Sequence, residues 1–246
     1  MKKIIISSTK NPDIKHIRKL LDDRQYRYER GEYVVEGINT LDNLGIPKKL
    51  YVREGCEIPS VNCETVFILP EIVFNAVSST ENSRGVIAIV PLKLLTAKDI
   101  DKNGRYVFLD RIQDPGNLGA IMRSACAFGY KGIIVTPGTV DPFSPKSVRA
   151  AASAFNTMDI VKIENAAQLE GLYVIAADMK GKDISGYAWP QAFILAFGNE
   201  GAGISEELRK SAKDTVSIPM LGNIESLNAA ASAAIIMYSS THKDSI

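Results

Sequence analysis

Histidine, cysteine and net charge are all scarce in this chain of 246 residues. Its two histidines, His16 and His242, lie near opposite ends of the sequence, which argues against a catalytic or metal site built on histidine. The three cysteines are too few and too scattered for a disulfide framework or a four-ligand zinc site. A formal net charge of +1 gives no overall basic field, so any nucleic-acid site must come from local clustering.

The sequence also lacks an apolar run of membrane length and the apolar core of a signal peptide. We therefore expect a cytoplasmic protein with no membrane partner. Hydrophobic residues make up 46% of the chain and charged residues 23%, as in ordinary globular proteins. The length is enough for one large domain or two small ones.

Basic residues are concentrated at the start of the chain, where lysine and arginine outnumber aspartate and glutamate over residues 1–30. The Asn11-Pro12 pair is a helix-start signal, and apolar residues follow it at helical spacing from Ile14 to Leu21. Most of the basic side chains then lie on the other helix face. Two interpretations stay open: a solvated helix face, or an arm that contacts RNA phosphates.

Strand and helix patterns alternate along the rest of the chain. Residues 1–91 are predicted to form a small α/β domain, with strands at 33–36, 49–52, 65–69 and 86–90, a short helix at 38–44 and a polar loop at 77–85. The more polar residues 92–104 are predicted to link it to a second domain, residues 105–246.

Near-continuous apolar strands alternate with helices in the second domain, which indicates a parallel sheet covered on both faces. The predicted strands are 106–109, 132–135, 172–176, 193–197 and 216–218. The predicted helices are 117–128, 145–155, 205–210 and a last one that starts at Ser226. Ligands of such sheets bind beyond the carboxyl ends of the strands.

Three polar loops follow strands of this sheet. The first, residues 109–119, leads into a helix that Asn117 could cap and that carries Arg123. The second, residues 196–205, has the spacing GxxGxG, which differs from the GxGxxG dinucleotide fingerprint, and it has no Walker A lysine. The third, residues 216–228, runs from a strand through a Gly-Asn turn to the last helix.

These loops read DPGNLGAIMRSA, FGNEGAGIS and IPMLGNIESLN. Together they resemble the three motifs of the SpoU (TrmH-like) ribose 2'-O-methyltransferases, a branch of the SPOUT superfamily. The N-terminal part resembles that family's ribosomal-protein-like substrate-binding domain at Asn11-Pro12, at Glu36-Gly37 and in the loop 77–86. The sequence departs from the family pattern after Asn228, where alanines follow, and at residues 151–154, where the family often has a glycine-containing turn.

The resemblance implies an α/β fold with a C-terminal trefoil-knotted parallel sheet, the α/β-knot, preceded by the small α/β substrate-binding domain. It further implies S-adenosyl-L-methionine as cofactor, RNA as substrate and a homodimer. The implied cofactor contacts are Gly198, Ile218, Met220 and Leu227. The implied catalytic residues are Asn117, Arg123, Glu200, Ser226 and Asn228. The implied RNA-binding residues are Asn11, Lys15, Arg18 and Arg84.

In the implied reaction a methyl group passes from a sulfonium to a ribose 2'-hydroxyl. Guanidinium stays protonated, so Arg123 suits gripping a phosphate and stabilising the developing alkoxide better than acting as a base. Ser226 and Asn228 would orient the ribose, and Glu200 would fix the arginine or a loop. The N-terminal resemblance favours ribosomal RNA over transfer RNA. Two alternatives remain: a non-catalytic RNA-binding protein, and a dinucleotide-dependent enzyme on a doubly wound sheet.

Overall fold

The computed structural model describes residues 2–37, 41, 44–79, 84–223 and 226–241. The chain divides into two compact units, one of Met1–Lys93 with Asp141–Thr157 and one of Leu94–Val140 with Met158–Ile246. The second unit thus begins within the expected linker 92–104. Residues 141–157, expected in the second domain, pack with the first unit. The predicted helix at 38–44 lies mostly outside the described residues.

Strands and helices alternate through the described chain. The strands are β1 (Lys2–Ile5), β2 (Glu32–Glu36), β3 (Lys49–Arg53), β4 (Thr65–Leu69), β5 (Val86–Pro91), β6 (Arg105–Leu109), β7 (Gly132–Val135), β8 (Asp159–Lys162), β9 (Val174–Asp183), β10 (Phe193–Phe197) and β11 (Asp214–Ser217). The α-helices are α1 (Pro12–Asp22), α2 (Arg24–Arg30), α3 (Glu71–Asn75), α4 (Pro115–Ala127), α5 (Pro145–Ala151), α6 (Glu206–Ser211) and α7 (Ala229–Thr241).

The first unit is built on a mixed five-stranded sheet in the order β1-β4-β3-β5-β2. β4 pairs in parallel with β1 and β3, whereas β5 is antiparallel to β2 and β3. The predicted start of α1 is confirmed: the Asn11 side chain accepts a 2.8 Å hydrogen bond from the Asp13 backbone N–H. The apolar face of α1 is buried at Ile14, Ile17 and Leu20, as its helical spacing predicts.

The second unit is built on a six-stranded sheet in the order β11-β9-β10-β6-β7-β8. Every neighbouring pair in it is parallel, which confirms the predicted parallel sheet. Its central strands are buried, apart from the half-buried Arg105 at the start of β6, because apolar side chains stand on both faces of the sheet. The carboxyl ends of these strands therefore form one edge, at which polar loops collect.

The last helix starts later than predicted. It was expected from Ser226 but begins at Ala229, because the Asn228 side chain caps its first turn. Asn228 Oδ1 accepts hydrogen bonds from the backbone N–H groups of Ala230, at 2.9 Å, and Ala231, at 3.3 Å. This helix is the most apolar in sequence, yet no helix within the described residues is long and apolar enough to cross a membrane.

A strained residue, Ala152, follows α5. Its φ is 50° and its ψ is −139°, a left-handed region of backbone space that favours glycine. It lies within residues 151–154, where the sequence departs from the glycine-containing turn of the resembling family. The chain therefore holds an alanine in a conformation that costs about 1–3 kcal/mol.

We predict that Ala152→Gly raises the free energy of unfolding by about 1 kcal/mol, because relief of strain outweighs the added entropy of the unfolded chain. Ala150→Gly is the matched control, since it lies inside α5 and should lower stability by about 0.5–1 kcal/mol. Thermal and urea unfolding would measure both. Equal destabilisation by the two variants would contradict the assignment of strain.

Candidate active site

Two loops meet where β6 and β10 end. The strands pair in parallel with Leu109 opposite Phe197, so their carboxyl ends are level. The backbone N–H of Asp110 continues this pairing by donating to the Phe197 carbonyl at 2.9 Å. The loop after β6 and the loop after β10 are therefore neighbours at one edge of the sheet.

The loop after β6 ends in the first turn of α4. Asp114, not the predicted Asn117, caps this helix: its Oδ1 accepts a 2.7 Å hydrogen bond from the Asn117 backbone N–H. Pro115 occupies the first turn, where its missing N–H costs nothing. Because Asp114 supplies the cap, the Asn117 side chain is available for contacts outside the helix.

The Asn117 side chain joins all three polar loops. Its Nδ2 donates to Glu200 Oε1 at 2.9 Å, and its Oδ1 accepts from Asn228 Nδ2 at 3.0 Å. Glu200 is 83 residues away in the chain and Asn228 is 111 residues away. Three of the five predicted catalytic residues therefore form one hydrogen-bonded chain.

The direction of this hydrogen-bonded chain is fixed at both ends. A carboxylate can only accept, so Asn117 must turn its amide nitrogen towards Glu200 and its oxygen towards Asn228. Asn228 must then donate to Asn117, which agrees with the use of its own oxygen to cap α7. One N–H on each amide and one oxygen on Glu200 remain for a bound molecule. Glu200 and Asn228 are exposed, so a ligand can reach them.

The loop after β10 is folded tightly on itself. A Cβ on Gly198 would lie 2.2 Å from both the Gly203 carbonyl carbon and the Ile204 nitrogen, so only glycine fits. Asn199 pairs its backbone with Gly203 through hydrogen bonds of 3.0 and 2.9 Å. The Asn199 side chain also donates to the Arg111 carbonyl at 2.9 Å. Sequence analysis missed this structural role, although asparagine in a glycine-rich turn is a known signal.

A buried carboxylate, Asp110, is the other organising residue that sequence analysis missed. It is 5% exposed and accepts from the Ser205 backbone N–H at 2.9 Å and from Arg111 Nε at 3.1 Å. It thereby ties the start of α6 to the end of β6. A cleft of about 240 Å³ opens beside it, lined also by Thr136, Glu164 and Glu207, and none of the predicted site residues line that cleft.

Two predicted catalytic residues stand apart from the network. Arg123 is exposed on α4, about 9 Å along the helix axis from Asn117. Within the described residues it has no hydrogen-bond or ion-pair partner, and in particular Glu200 bonds Asn117 instead of Arg123. Ser226 is exposed two residues before Asn228. Both side chains are accessible to a bound substrate.

The predicted cofactor contacts follow the ends of β10 and β11. Gly198 comes directly after β10, Ile218 directly after β11, and Ile218, Met220 and Leu227 are half-buried. Within the described residues, no hydrogen bond engages the backbone of residues 219–223 or 226–227. These stretches offer apolar contact beside unpaired backbone donors and acceptors, which suits a nucleoside. Residues 198–204 and 216–228 contain no lysine or arginine, so they do not suit a polyphosphate.

The predicted RNA-binding residues lie in the first unit. Asn11 uses its side-chain oxygen to cap α1, and Lys15 is exposed one turn further along that helix. Arg18 Nε donates to the Ala76 carbonyl at 3.1 Å. Arg84 is exposed at the end of the polar loop, just before β5.

Metal-binding side chains do not cluster in the part of the chain that the structure describes. No group of three or more histidine, cysteine, aspartate or glutamate side chains there could hold an ion. Cys56, Cys63 and Cys126 form no disulfide.

The second unit thus combines a parallel sheet with a polar network at its carboxyl edge, the edge at which ligands of such α/β domains bind. Residues 104–238 match the model of the SpoU rRNA methylase family. The 23S rRNA (guanosine(2553)-2'-O)-methyltransferase of Bacillus subtilis is 30% identical over 95% of this chain and 97% of its own length. The chain belongs to the SpoU rRNA methylase family.

Solved structures agree with this assignment over almost the whole chain. The AdoMet-bound rRNA methyltransferase of Sinorhizobium meliloti superposes with a TM-score of 0.85, at 29% identity and 99% coverage of both chains. The SpoU methyltransferase AviRb of Streptomyces viridochromogenes, in complex with AdoMet, has a TM-score of 0.82 at 26% identity, covering 95% of this chain and 98% of its own. The α/β fold with its parallel sheet is thus that of SpoU methyltransferases.

Proposed function

We propose that this protein transfers a methyl group from S-adenosyl-L-methionine to a ribose 2'-hydroxyl of ribosomal RNA. The observation that carries the proposal is the hydrogen-bonded chain Asn228–Asn117–Glu200, which assembles one residue from each motif of a SpoU family member. A second relative, the 23S rRNA (uridine(2479)-2'-O)-methyltransferase of Streptomyces viridochromogenes, is 28% identical over 94% of this chain. The names of the two relatives share the ribose 2'-oxygen of 23S rRNA but differ in the base.

The loops after β10 and β11 fit S-adenosyl-L-methionine better than a dinucleotide. The half-buried Ile218, Met220 and Leu227 suit the adenosine moiety, and the unpaired backbone groups of residues 219–223 can bind its polar edges. Glu200 supplies a negative charge, and no lysine or arginine offsets it in either loop. A cationic sulfonium is favoured there and a pyrophosphate is disfavoured. When bound, the cofactor supplies a methyl group activated by its positive sulfur.

The chain's own residues would align and activate the ribose. The free amide N–H groups of Asn117 and Asn228 can donate to ribose oxygens, and the second Glu200 oxygen can accept from a hydroxyl. Arg123 keeps its charge, so we assign it to stabilising the alkoxide and gripping the adjacent phosphate. Ser226 adds a hydroxyl beside Asn228 for orienting the sugar. Alignment is worth several kcal/mol in such a displacement, because the reacting atoms must lie in line.

Four further features complete the proposal. The first unit, Met1–Lys93 with Asp141–Thr157, acts as the ribosomal-protein-like RNA-binding domain, and the second unit acts as the methyltransferase domain. The residues of the first unit that contact RNA are Asn11, Lys15, Arg18 and Arg84. The backbone of the second unit forms a trefoil knot, a proposal that membership of the SpoU family supports. Because ribosomal RNA is the proposed substrate, we place the reaction in the cytoplasm.

The loop after β10 provides the first test. Gly198→Ala should lower the affinity for S-adenosyl-L-methionine at least tenfold, because a Cβ would displace the Gly203 and Ile204 backbone. Overpacking of this kind also costs about 1–3 kcal/mol of stability. Gly186→Ala is the matched control, because a Cβ there meets no atom within 4 Å. Calorimetry that gives wild-type cofactor affinity for folded Gly198→Ala would remove this loop from the cofactor site.

Arg123→Ala tests the chemistry. The rate of methyl transfer to purified 23S rRNA in single-turnover assays should fall roughly 30- to 1000-fold. This corresponds to a loss of about 2–4 kcal/mol of transition-state stabilisation. Affinity for the cofactor should change far less, because Arg123 lies outside the loops after β10 and β11. Arg209→Ala is the control: it removes an exposed arginine that already pairs with Asp178 at 2.7 Å. Wild-type turnover by Arg123→Ala would show that the proposed active site is wrong.

The second unit exposes apolar side chains on α7, which supports the proposed homodimer. Ile235 and Tyr238 are 42% and 52% exposed on a helix made almost wholly of small and apolar residues. A helix that is apolar on all sides is normally buried. We expect light scattering at micromolar concentration to give twice the chain mass of 26.8 kDa. A stable monomer would contradict the proposal.

A further inference from the structure

One segment of the family-matched region packs in the first unit. Residues 141–157 lie within the stretch 104–238 that matches the family model, yet their contacts belong to the unit formed by Met1–Lys93. Asp141 makes a 2.6 Å ion pair with Arg27, and both side chains are less than a tenth exposed. The Tyr28 hydroxyl also donates to Asp141, at 3.0 Å. Burial and the neighbouring Asp141 charge raise the pKa of Tyr28 to about 12, so it stays a donor.

Aromatic packing fixes the same segment from a second side. The Phe143 ring contacts Tyr28, Tyr33 and Phe155 at centroid distances of 6.0, 5.3 and 5.5 Å. Ser147 Oγ donates to the Asp141 carbonyl at 2.8 Å and is fully buried. The start of α5 therefore has a defined place on the first unit.

The orientation of α5 leaves its two cations outside. Ser147, Val148 and Ala151 face inwards and are buried, whereas Lys146 and Arg149 are exposed. Residues three apart on a helix are neighbours on its surface, so these two side chains share one face. α5 contains no acidic residue to offset them.

Arg149 reaches the polar loop of the first unit. Its Nη1 donates to Ser79 Oγ at 2.9 Å, and the Ser79 backbone N–H donates to the Glu36 carboxylate at 2.8 Å. Arg18 donates to the Ala76 carbonyl, one residue before this loop. Ala76 and Ser79 are three residues apart, which is at most about 10 Å along the chain. Two guanidinium groups from distant parts of the sequence thus bind within residues 76–79.

The contact that holds Arg149 does not neutralise it. Its partner is the neutral Ser79 hydroxyl, which in turn donates to the Glu36 carboxylate. Within the described residues no carboxylate pairs directly with the Arg149 guanidinium, in contrast to Arg27 with Asp141. A guanidinium has five donors in a planar fork, so most of them stay available. An arginine that is fixed in place, has no direct carboxylate partner and lies near other cations can bind a phosphate through two parallel hydrogen bonds.

We propose that Arg149 and Lys146 extend the RNA-binding surface of the first unit by contacting backbone phosphates. The inference rests on the proposed function, because RNA supplies the phosphates. It adds two residues from the family-matched segment to a surface otherwise made by Lys15, Arg18 and Arg84. The exposed side of α5 is charged and carries no large apolar residue, so RNA fits it better than a hydrophobic partner.

Salt dependence of binding to purified 23S rRNA tests this directly. Arg149→Gln should weaken binding roughly three- to tenfold and reduce the slope of log K against log salt by about one phosphate contact, near 0.7–0.9. Lys146→Gln should do the same without touching the loop, and Arg149→Lys should keep most of the slope. Cofactor affinity should be unchanged in all three. Arg209→Gln is the control, because its charge is already paired with Asp178.

The binding and methylation assays together separate failure of the phosphate contacts from failure of the proposed function. A wild-type slope in folded Arg149→Gln and Lys146→Gln would overturn the inference. A lower melting temperature for Arg149→Gln with an unchanged slope would show that Arg149 only fastens α5 to the loop, which also overturns it. If the wild-type protein neither binds nor methylates 23S rRNA, the proposed function itself fails. Wild-type methylation together with unchanged slopes rejects only the phosphate contacts.

Discussion

The candidate active site depends on the two hydrogen bonds of the Asn117 side chain. This side chain joins Glu200 and Asn228, which belong to loops that the sequence separates by 83 and 111 residues from it. The direction of each hydrogen bond is fixed: the Glu200 carboxylate can only accept, and Asn228 must donate because its side-chain oxygen caps α7. The network therefore sets the orientation of all three side chains before any substrate arrives. Its remaining donors and acceptors point to where a ribose would have to bind.

The two units differ in the distribution of charge on the surfaces proposed to bind ligands. The loops after β10 and β11 contain no lysine or arginine and combine half-buried apolar side chains with free backbone groups, which suits a neutral nucleoside with a positive sulfur. The first unit holds the cluster of cations, on α1, at the end of the polar loop and on α5. The proposed phosphate contacts of the first unit and the proposed cofactor contacts of the second unit use different residues, so mutations can test them separately. The placement of residues 141–157 by Arg27 and Phe143 gives the first unit two of its cations from the family-matched segment.

Local patterns in the sequence predicted the elements with strong signals, and long-range contacts decided what they missed. The start of α1 and the long apolar strands were predictable because capping and periodicity act within a few residues. The strands β1 and β8 escaped prediction: both have four residues and depend on partners far along the chain. The cap of α4 is Asp114, three residues before the predicted Asn117, and the cap of α7 is Asn228, two residues after the predicted Ser226. Neighbouring side chains of similar capping ability competed for the same role. No local pattern could place residues 141–157, whose packing rests on an ion pair between positions 114 residues apart.

Mapping of ribose methylation in ribosomal RNA by mass spectrometry tests the central claim most directly. RNA from cells that lack this protein should miss a 2'-O-methyl group at one ribosomal nucleotide, and expression of the wild-type chain should restore it. The Arg123→Ala chain, expressed at the same level, should restore little of it. If every ribose methylation of the ribosomal RNA is retained without the protein, or if the missing methyl group lies on a base, the account is contradicted.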